Sequence, residues 1–497
     1  MPHLHHEFAD HLPELCRDWQ AAETPEPQLL CLNEQLARDL GLDPEWLRSP
    51  EGVGFLCGTT LPKGARPVAM GYAGHQFGQL SPRLGDGRAL LLGEIKDTQG
   101  NLRDIHVKGS GPTKFSRGGD GWGALGPMLR EYLISEAMHA LGVPTTRALA
   151  VITTGRKIAR ERVVPAALVV RVASSHIRIG SFQYAQLIGG EKLTRTLAEY
   201  TRTRHYPDTA DARGVFTCAL DAQLSTVAQW MRLGFIHGVM NTDNTTLSGE
   251  TIDYGPCAFL DEYDEHAVFS SIDHGGRYRY RNQPHIIGWN FARLAEAMLP
   301  AFHDDPEQAV DFAQATMDGF QDRWRTAQST HRCRAIGVAY TESNTTLADD
   351  FYRLVEKARP DLTTVHRALV AAAETTTHIT ANPSRHPQDQ HKQDPRQQQA
   401  VLELARHLGA TEQAHEWIAA WLQHAPDSAA LAQLHPVVIP RNHLVEKALR
   451  AATDGDMAPF EELLAAVTDP FNDKHPEKFR KPAPVEFSES FQTFCGT

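Results

Sequence analysis

The chain has no long hydrophobic run, no closely paired cysteines and no surplus of positive charge, and each absence removes a class of function. No window approaches the ~18 consecutive uncharged apolar residues of a membrane-spanning helix, so no membrane partner is expected. Seven cysteines (Cys16, Cys31, Cys57, Cys218, Cys257, Cys333, Cys495) are scattered without a C-x-x-C pair or a regular period. That argues against a zinc ribbon and a disulfide framework, and most read as small buried hydrophobes. A formal charge of −12 disfavours a general nucleic-acid-binding role, which calls for a basic surface. The opening Met1-Pro2-His3-Leu4-His5-His6 has neither a basic segment nor an apolar core. Secretion is therefore not expected, and the cytoplasm is the expected compartment. His3, His5 and His6 could bind a metal, but a disordered terminus is the simpler expectation.

What is present is ordinary in bulk: 41% apolar and 22% charged residues over 497 positions, enough for two or more domains with substantial cores. Residues 1–70 read as an N-terminal extension of short helices and loops, with Pro44 in the first turn of one helix. Residues 71–165 are strand-rich. Strands over 89–95 and 102–108 flank the turn Asp97-Thr98-Gln99-Gly100-Asn101, and a helix over 128–141 is closed by Gly142 and Pro144. Further strands fit 148–153 and 167–172. Within 166–300, Leu220, Leu224, Val227, Met231 and Phe235 recur at helical spacing and lead into a loop at His237. A short hairpin around Ser248-Gly249 is expected over 244–252. Residues 301–497 are largely helical, with helices over 306–328, 346–358, 397–408, 414–424 and 444–452. Between them, 383–399 is rich in Gln, His, Asp and Arg without apolar period and reads as an exposed mobile loop, ahead of a C-terminal tail. The expected class is α+β, with the layout of a protein-kinase-like two-lobed fold and a largely helical C-terminal region.

The loop Ile236-His237-Gly238-Val239-Met240-Asn241-Thr242-Asp243-Asn244, followed by Asp253-Tyr254-Gly255, carries the strongest functional signal. A kinase catalytic loop runs H-R-D-x-x-x-x-N. Counted from His237, the Asn falls on schedule at Asn244, but the Asp position holds Val239, which can accept neither a proton nor a hydrogen bond. Asn244 and Asp253 are oxygen ligands suited to Mg²⁺ or Mn²⁺, although a turn at Asp243-Asn244 and another at Asp253-Tyr254-Gly255 explain them too. Asp243 is the carboxylate of that loop placed to act as a base. Three further elements lie in kinase order. Gly85 and Gly87 would let backbone N–H groups approach phosphates, with Arg88 adding charge, although an Asp-Gly turn explains them too. Lys108, ending a strand, could pair with Glu131 on the following helix, or the two could form a surface ion pair. Between them, 118–123 is too glycine-dense for a helix or strand and suggests a loop against a ligand or a flexible lid. Arg171 and Arg178 could clamp a terminal phosphate or be solvated. The segment 273–280, rich in basic and aromatic residues, could bind a protein substrate or pack the lobe.

Taken together, Gly74 to Gly78, Val107 to Thr113, Arg130 to Met138, Arg171 to Gly180 and Gly238 to Pro256 resemble the selenoprotein O family of kinase-fold protein adenylyltransferases over nearly the whole chain. The resemblance implies an ATP held in reverse relative to kinases, with AMP passing to Ser, Thr or Tyr hydroxyls of proteins and pyrophosphate leaving. It implies that Lys108 pairs with Glu131 and holds phosphate, that Arg171 and Arg178 contact the far phosphates, and that Gly85, Gly87, Arg88, Asp120 and Gly121 line the nucleotide. Asn244 and Asp253 would bind Mg²⁺ or Mn²⁺, and Asp243 would accept the proton. Some members carry selenocysteine near the C-terminus, where this chain has Cys495, so the resemblance also suggests a regulatory Cys257–Cys495 disulfide. The expected partners are ATP and protein substrates, without nucleic acid. Alternative readings are a kinase of proteins or small molecules, UMP transfer from UTP, and a non-catalytic pseudokinase scaffold that binds nucleotide.

Overall fold

The structure, a computed structural model, describes residues 1–380 and 395–494. Strands come first: β1 (Cys16–Asp18), β2 (Gln28–Leu32), β3 (Val68–Met70), a hairpin of β4 (Gly74–Gln76) and β5 (Gln79–Ser81), then β6 (Ala89–Lys96), β7 (Leu102–Lys108), β8 (Gly123–Ala124), β9 (Arg147–Ala159) and β10 (Val163–Ala173). One antiparallel sheet runs in the order β1-β3-β6-β7-β10-β9-β2, with β8 beside β10. The β6–β7 connection is the expected turn, in which Asp97 Oδ1 accepts the N–H groups of Gln99 and Asn101 while Gly100 takes a left-handed φ of 85°.

Strand alternation sorts the sheet into two faces. Leu90 and Leu92, Ile105 and Val107, and Leu168 and Val170 pack into one apolar cluster with Leu47, Phe55 and Leu56 from the preceding short helices. The opposite parity, including Leu91, Val151 and Val169, packs on the helix Leu125–Ala140 through Leu129 and Leu133. His106 and Lys108 share that second parity on β7, as Arg171 does on β10. The ladder sets Arg171 opposite His106 and Val169 opposite Lys108.

The remaining chain is helical. Ala212–Leu233 is opened by Asp211, whose carboxylate accepts the N–H groups of Arg213 and Gly214, and is closed by Gly234 at φ 71°. It buries Phe216, Leu220, Leu224, Val227 and Trp230 against the long helices Ile179–His205 and Gln283–Phe302. It delivers the chain into β11 (Phe235–Ile236), which pairs with β12 (Ala258–Phe259). The loops between these two strands carry the predicted chemistry. Farther on, Phe351, Val355, Leu369, Trp417 and Trp421 centre a second core. No helix among the described residues is long and apolar enough to cross a membrane.

Several expectations are corrected. The region 244–252 is not a self-paired hairpin. Thr246 bridges to Arg178 and Thr251 to Thr145, because neighbouring elements satisfy its backbone first. The helix expected over 306–328 is two, Pro306–Asp318 and Phe320–Ala335, parted at Gly319. Of the loop expected over 383–399, positions up to 394 lie outside the described residues, and Pro395 opens a helix to His407 that buries Leu404 and Ala405. Residues 1–70 contribute β1, β2 and β3 to the sheet. The N-terminus is docked rather than disordered: His5 and Glu94 exchange both backbone hydrogen bonds at 2.8 and 2.9 Å, and the buried Glu94 carboxylate accepts the N–H groups of Glu7 and Phe8.

Candidate active site

Between the sheet and the helical body lies a cavity of about 620 Å³ lined by Gly85, Gly87, Arg88, Lys108, Asp120, Gly121, Glu131, Arg171, Arg178, Asp243, Asn244 and Asp253. Every predicted catalytic, nucleotide and metal position is in that wall. Cys257 is buried beside the cavity-lining Pro256, while Cys495 lies outside the described residues.

Asp253 is the electrostatic hub. Its Oδ1 accepts from Lys108 Nζ at 2.8 Å and Arg171 Nη1 at 2.7 Å, and its Oδ2 accepts from Arg178 Nη1 at 2.8 Å. Glu131 reaches the same cations from its helix, at 2.6 Å from Lys108 Nζ and 3.2 Å from Arg171 Nη1. Despite burial, Lys108, Arg171 and Arg178 together hold the Asp253 carboxyl well below the usual carboxylate range. Asp253 also sits at φ 65°, a left-handed conformation that a non-glycine residue holds only when its surroundings enforce it. Its three cationic partners and the preceding backbone supply that enforcement. His237 Nε2 donates to the Ile252 carbonyl at 2.8 Å, and the His237 N–H is held by Gln283 Oε1 at 3.0 Å. Gly238, at φ 83°, lets the two loops touch: a Cβ there would lie 2.4 Å from the Pro256 oxygen.

The other wall is less saturated. Arg178 Nη1 also donates to the Asp243 backbone carbonyl at 2.7 Å and so ties the two loops together. The Asp243 side chain is buried, its Oδ1 has no hydrogen-bond partner among the described residues, and burial pushes its carboxyl up to about 6. A Cβ on Gly74 would lie 2.3 Å from that oxygen, so the β4–β5 hairpin approaches as closely as glycine allows. The hairpin clamps the loop through its backbone, with His75 N–H donating to Thr242 Oγ1 at 2.7 Å and Phe77 N–H to Asn241 Oδ1 at 3.2 Å. Asn244 Nδ2 donates to the Val239 carbonyl at 3.0 Å, leaving Oδ1 without a donor among the described residues. Arg88 likewise lines the cavity without a side-chain hydrogen bond among the described residues, and burial lowers its pKa. Asp120 is at the rim, bound by both terminal nitrogens of Arg160 at 2.8 and 2.9 Å.

Residue-level reading missed the support behind Arg171. Its Nη2 donates to His106 Nδ1 at 3.0 Å, which leaves His106 Nε2 to carry the proton and donate to Asp86 Oδ2, also at 3.0 Å. Burial, first, and the two arginines keep His106 neutral, as this tautomer requires. Asp86 is fixed in turn by the Met70 N–H at 3.1 Å. Strand parity was the available signal, since His106 must share a face with Lys108. Also missed was Tyr72, whose ring lies 4.6 Å under the Arg178 guanidinium.

Residues 3–468 match the protein family described as protein adenylyltransferase SelO. Among curated relatives, the protein nucleotidyltransferase YdiU of Corynebacterium efficiens is 50% identical over 501 residues, covering 99% of this chain and 95% of the relative. The YdiU of Mycolicibacterium paratuberculosis is 50% identical over 99% of this chain and 98% of its own length. That of Corynebacterium glutamicum is 47% identical over the same shares. The family expected from the motifs is therefore borne out along nearly the full length, and with it an enzyme of nucleotidyl transfer: the chain belongs to the SelO family of protein adenylyltransferases.

Proposed function

We propose that this enzyme transfers AMP from ATP to Ser, Thr or Tyr hydroxyls of cytoplasmic proteins, using a protein-kinase-like two-lobed fold with the nucleotide reversed. The supporting observation is the convergence of Lys108, Arg171, Arg178 and Arg88 on one cavity that also holds the buried Asp243, whose carboxyl burial raises to about 6. These cations bind the triphosphate, Lys108 steadied by Glu131. Gly85, Gly87 and Gly121 admit the nucleotide close to the backbone, and Asp120 holds its rim through Arg160. The acceptor oxygen attacks the α-phosphorus, the bond to the β-phosphate bridging oxygen breaks, and pyrophosphate leaves with its charge met by Arg171 and Arg178. Asp243 takes the hydroxyl proton, and a carboxyl near 6 suits a base working close to neutrality.

Mg²⁺ or Mn²⁺ fits the oxygens of Asn244 and Asp253: the Asn244 amide nitrogen is already engaged, which leaves its Oδ1 for a cation. When bound, such an ion would supply charge neutralisation on the phosphates. Cation partners now on Asp253 can turn to phosphate, which frees its carboxylate. Chelation should stop transfer, and added Mg²⁺ or Mn²⁺ should restore it.

A redox control through Cys257 and Cys495 is part of this reading. It is supported by the tail, whose Thr493 Oγ1 donates to the Pro256 carbonyl at 2.8 Å, next to Cys257. Intact-mass analysis of the enzyme and candidate acceptors after incubation with ATP and divalent metal tests the main reading. A gain of one adenylate is expected. A gain of one phosphate would make the enzyme a kinase, and metal-dependent nucleotide binding without any covalent product would make it a scaffold. UTP in place of ATP reads UMP transfer in the same assay.

A further inference from the structure

The last described stretch of chain is held at the cavity mouth by a backbone pairing and by half-buried aromatic contacts, with Phe491 5.6 Å from Phe269 and 4.9 Å from Phe487. From 481 to 494 Thr493 alone is buried, and Val485 and Phe494 are 64% and 61% exposed. Thr493 nevertheless pairs in parallel with Ser270: its N–H donates to the Phe269 carbonyl at 2.7 Å, and the Ser271 N–H donates to its carbonyl at 2.9 Å. Its side chain fills a seat in which the Pro256 carbonyl accepts from the hydroxyl. The next residue, Phe494, lines the active-site cavity with Ile272, Asp243 and Asn244. At the seat, Ser270 is 5% exposed and its hydroxyl has no hydrogen-bond partner among the described residues.

We propose that the edge formed by residues 269–271 is the docking strand for the acceptor protein, and that the chain's own tail occupies it as a stand-in. This rests on the reading of a protein acceptor given above. Main-chain pairing gives affinity to any extended segment, while the pocket under alternate side chains gives selectivity. Here the pocket selects a small hydroxylated residue, because a buried carbonyl waits for a donor. The unpartnered Ser270 hydroxyl offers a further bond that the tail does not use. The residue after the seat lies at the cavity mouth, as Phe494 does, and that position would carry the hydroxyl to be modified. Over 481–494 Thr493 is buried and Phe487 and Phe491 are half-buried, so the segment opens locally at lower cost than the core, and an acceptor that reproduces the pairing can displace it.

The test uses the full chain under reducing conditions and a fluorescein-labelled peptide of the tail sequence Ser-Glu-Ser-Phe-Gln-Thr-Phe. Thr493→Pro removes the donor N–H and empties the seat. This variant should bind the peptide saturably and at least tenfold more tightly than the unaltered chain, whose own tail competes. Adding Ser271→Pro should abolish the gain. Thr493→Val, which keeps the backbone pairing, should give an intermediate affinity and covers the case of a misfolded proline variant. Equal binding by all chains overturns the proposal. The same peptide ending in Tyr instead of Phe should gain one adenylate on that Tyr with Thr493→Pro, but not with the double variant. Adenylate on other proteins with none on this peptide overturns the docking and leaves the activity standing. Adenylate on nothing overturns the activity, and peptide binding, measured without ATP, then decides the docking alone.

Discussion

Asp253 and Asp243 line the same cavity from two loops, and their surroundings give them opposite properties. Asp253 accepts from Lys108, Arg171 and Arg178 and is held ionised. Asp243 has the charge of Arg178 nearby, but its carboxyl is dominated by burial and rises to about 6. One wall is thus a preorganised set of fixed charges, and the other keeps a group whose proton can come and go. The difference teaches that the residue type does not set the role. The number of cations within hydrogen-bond reach does.

The largest effect should come from breaking the saturated wall. Asp253→Ala leaves three cations without their shared partner and removes the carboxylate proposed to hold the metal. Adenylate incorporation should fall by about 10³-fold or more, with a lower melting temperature, because unpairing a buried charge cluster costs about 3–5 kcal/mol. Lys108→Ala should cost about 10²–10³-fold in kcat/KM for ATP while Arg171 and Glu131 remain joined. Unchanged turnover in either variant would contradict the assignment of this wall to the nucleotide.

Asp243→Asn probes the other wall and should lower kcat by about 10²–10⁴-fold with nucleotide binding preserved. The pH dependence follows from the direction of each shift. In the native enzyme kcat/KM should rise as pH passes through about 6 and Asp243 loses its proton. Stability runs the other way for that residue. Its raised carboxyl favours the protonated folded state, so its contribution is full below the ordinary carboxylate range and lost as pH rises through about 6. For Asp253 the depressed carboxyl stabilises above the ordinary range, and acidification removes that stability. Melting curves of Asp243→Asn should lack the decline that accompanies Asp243 ionisation.

His106→Ala should act more mildly by releasing Arg171 from its strand partner. A loss of up to about 10²-fold in kcat/KM is expected. Stability should drop by about 1–3 kcal/mol, since Asp86 and the guanidinium lose a buried hydrogen bond. The smallest effect belongs to Val239→Asp: label from the γ-phosphate of ATP should still fail to reach protein, because the substitution leaves the proposed reversed orientation of the nucleotide untouched.

Much of this site was legible residue by residue. Turn chemistry at Asp97-Thr98-Gln99-Gly100-Asn101 fixed the β6–β7 hairpin, and apolar spacing from Leu220 to Phe235 fixed the helix that feeds the His237 loop. The spacing from His237 to Asn244 located the first loop, and Asp253-Tyr254-Gly255 after it located the second. Harder to read were His106 and Asp86, whose roles depend on the ladder register that sets Arg171 opposite His106. The 244–252 segment misled because its turn residues are those of a hairpin, while its backbone partners come from Arg178 and Thr145. Local sequence cannot announce a distant partner.

By itself the sequence determined which side chains could hold phosphate, metal and proton, and in what order along the chain. Chemistry of that kind is a property of residue types and their short-range spacing. Tertiary structure decided that Lys108, Arg171, Arg178, Asp243 and Asp253 share one cavity, and that the two aspartates differ in charge state. It also decided that the tail lies at the mouth. Charge state depends on burial and on cations brought to the two aspartates from distant stretches of chain, and neither exists until those stretches pack.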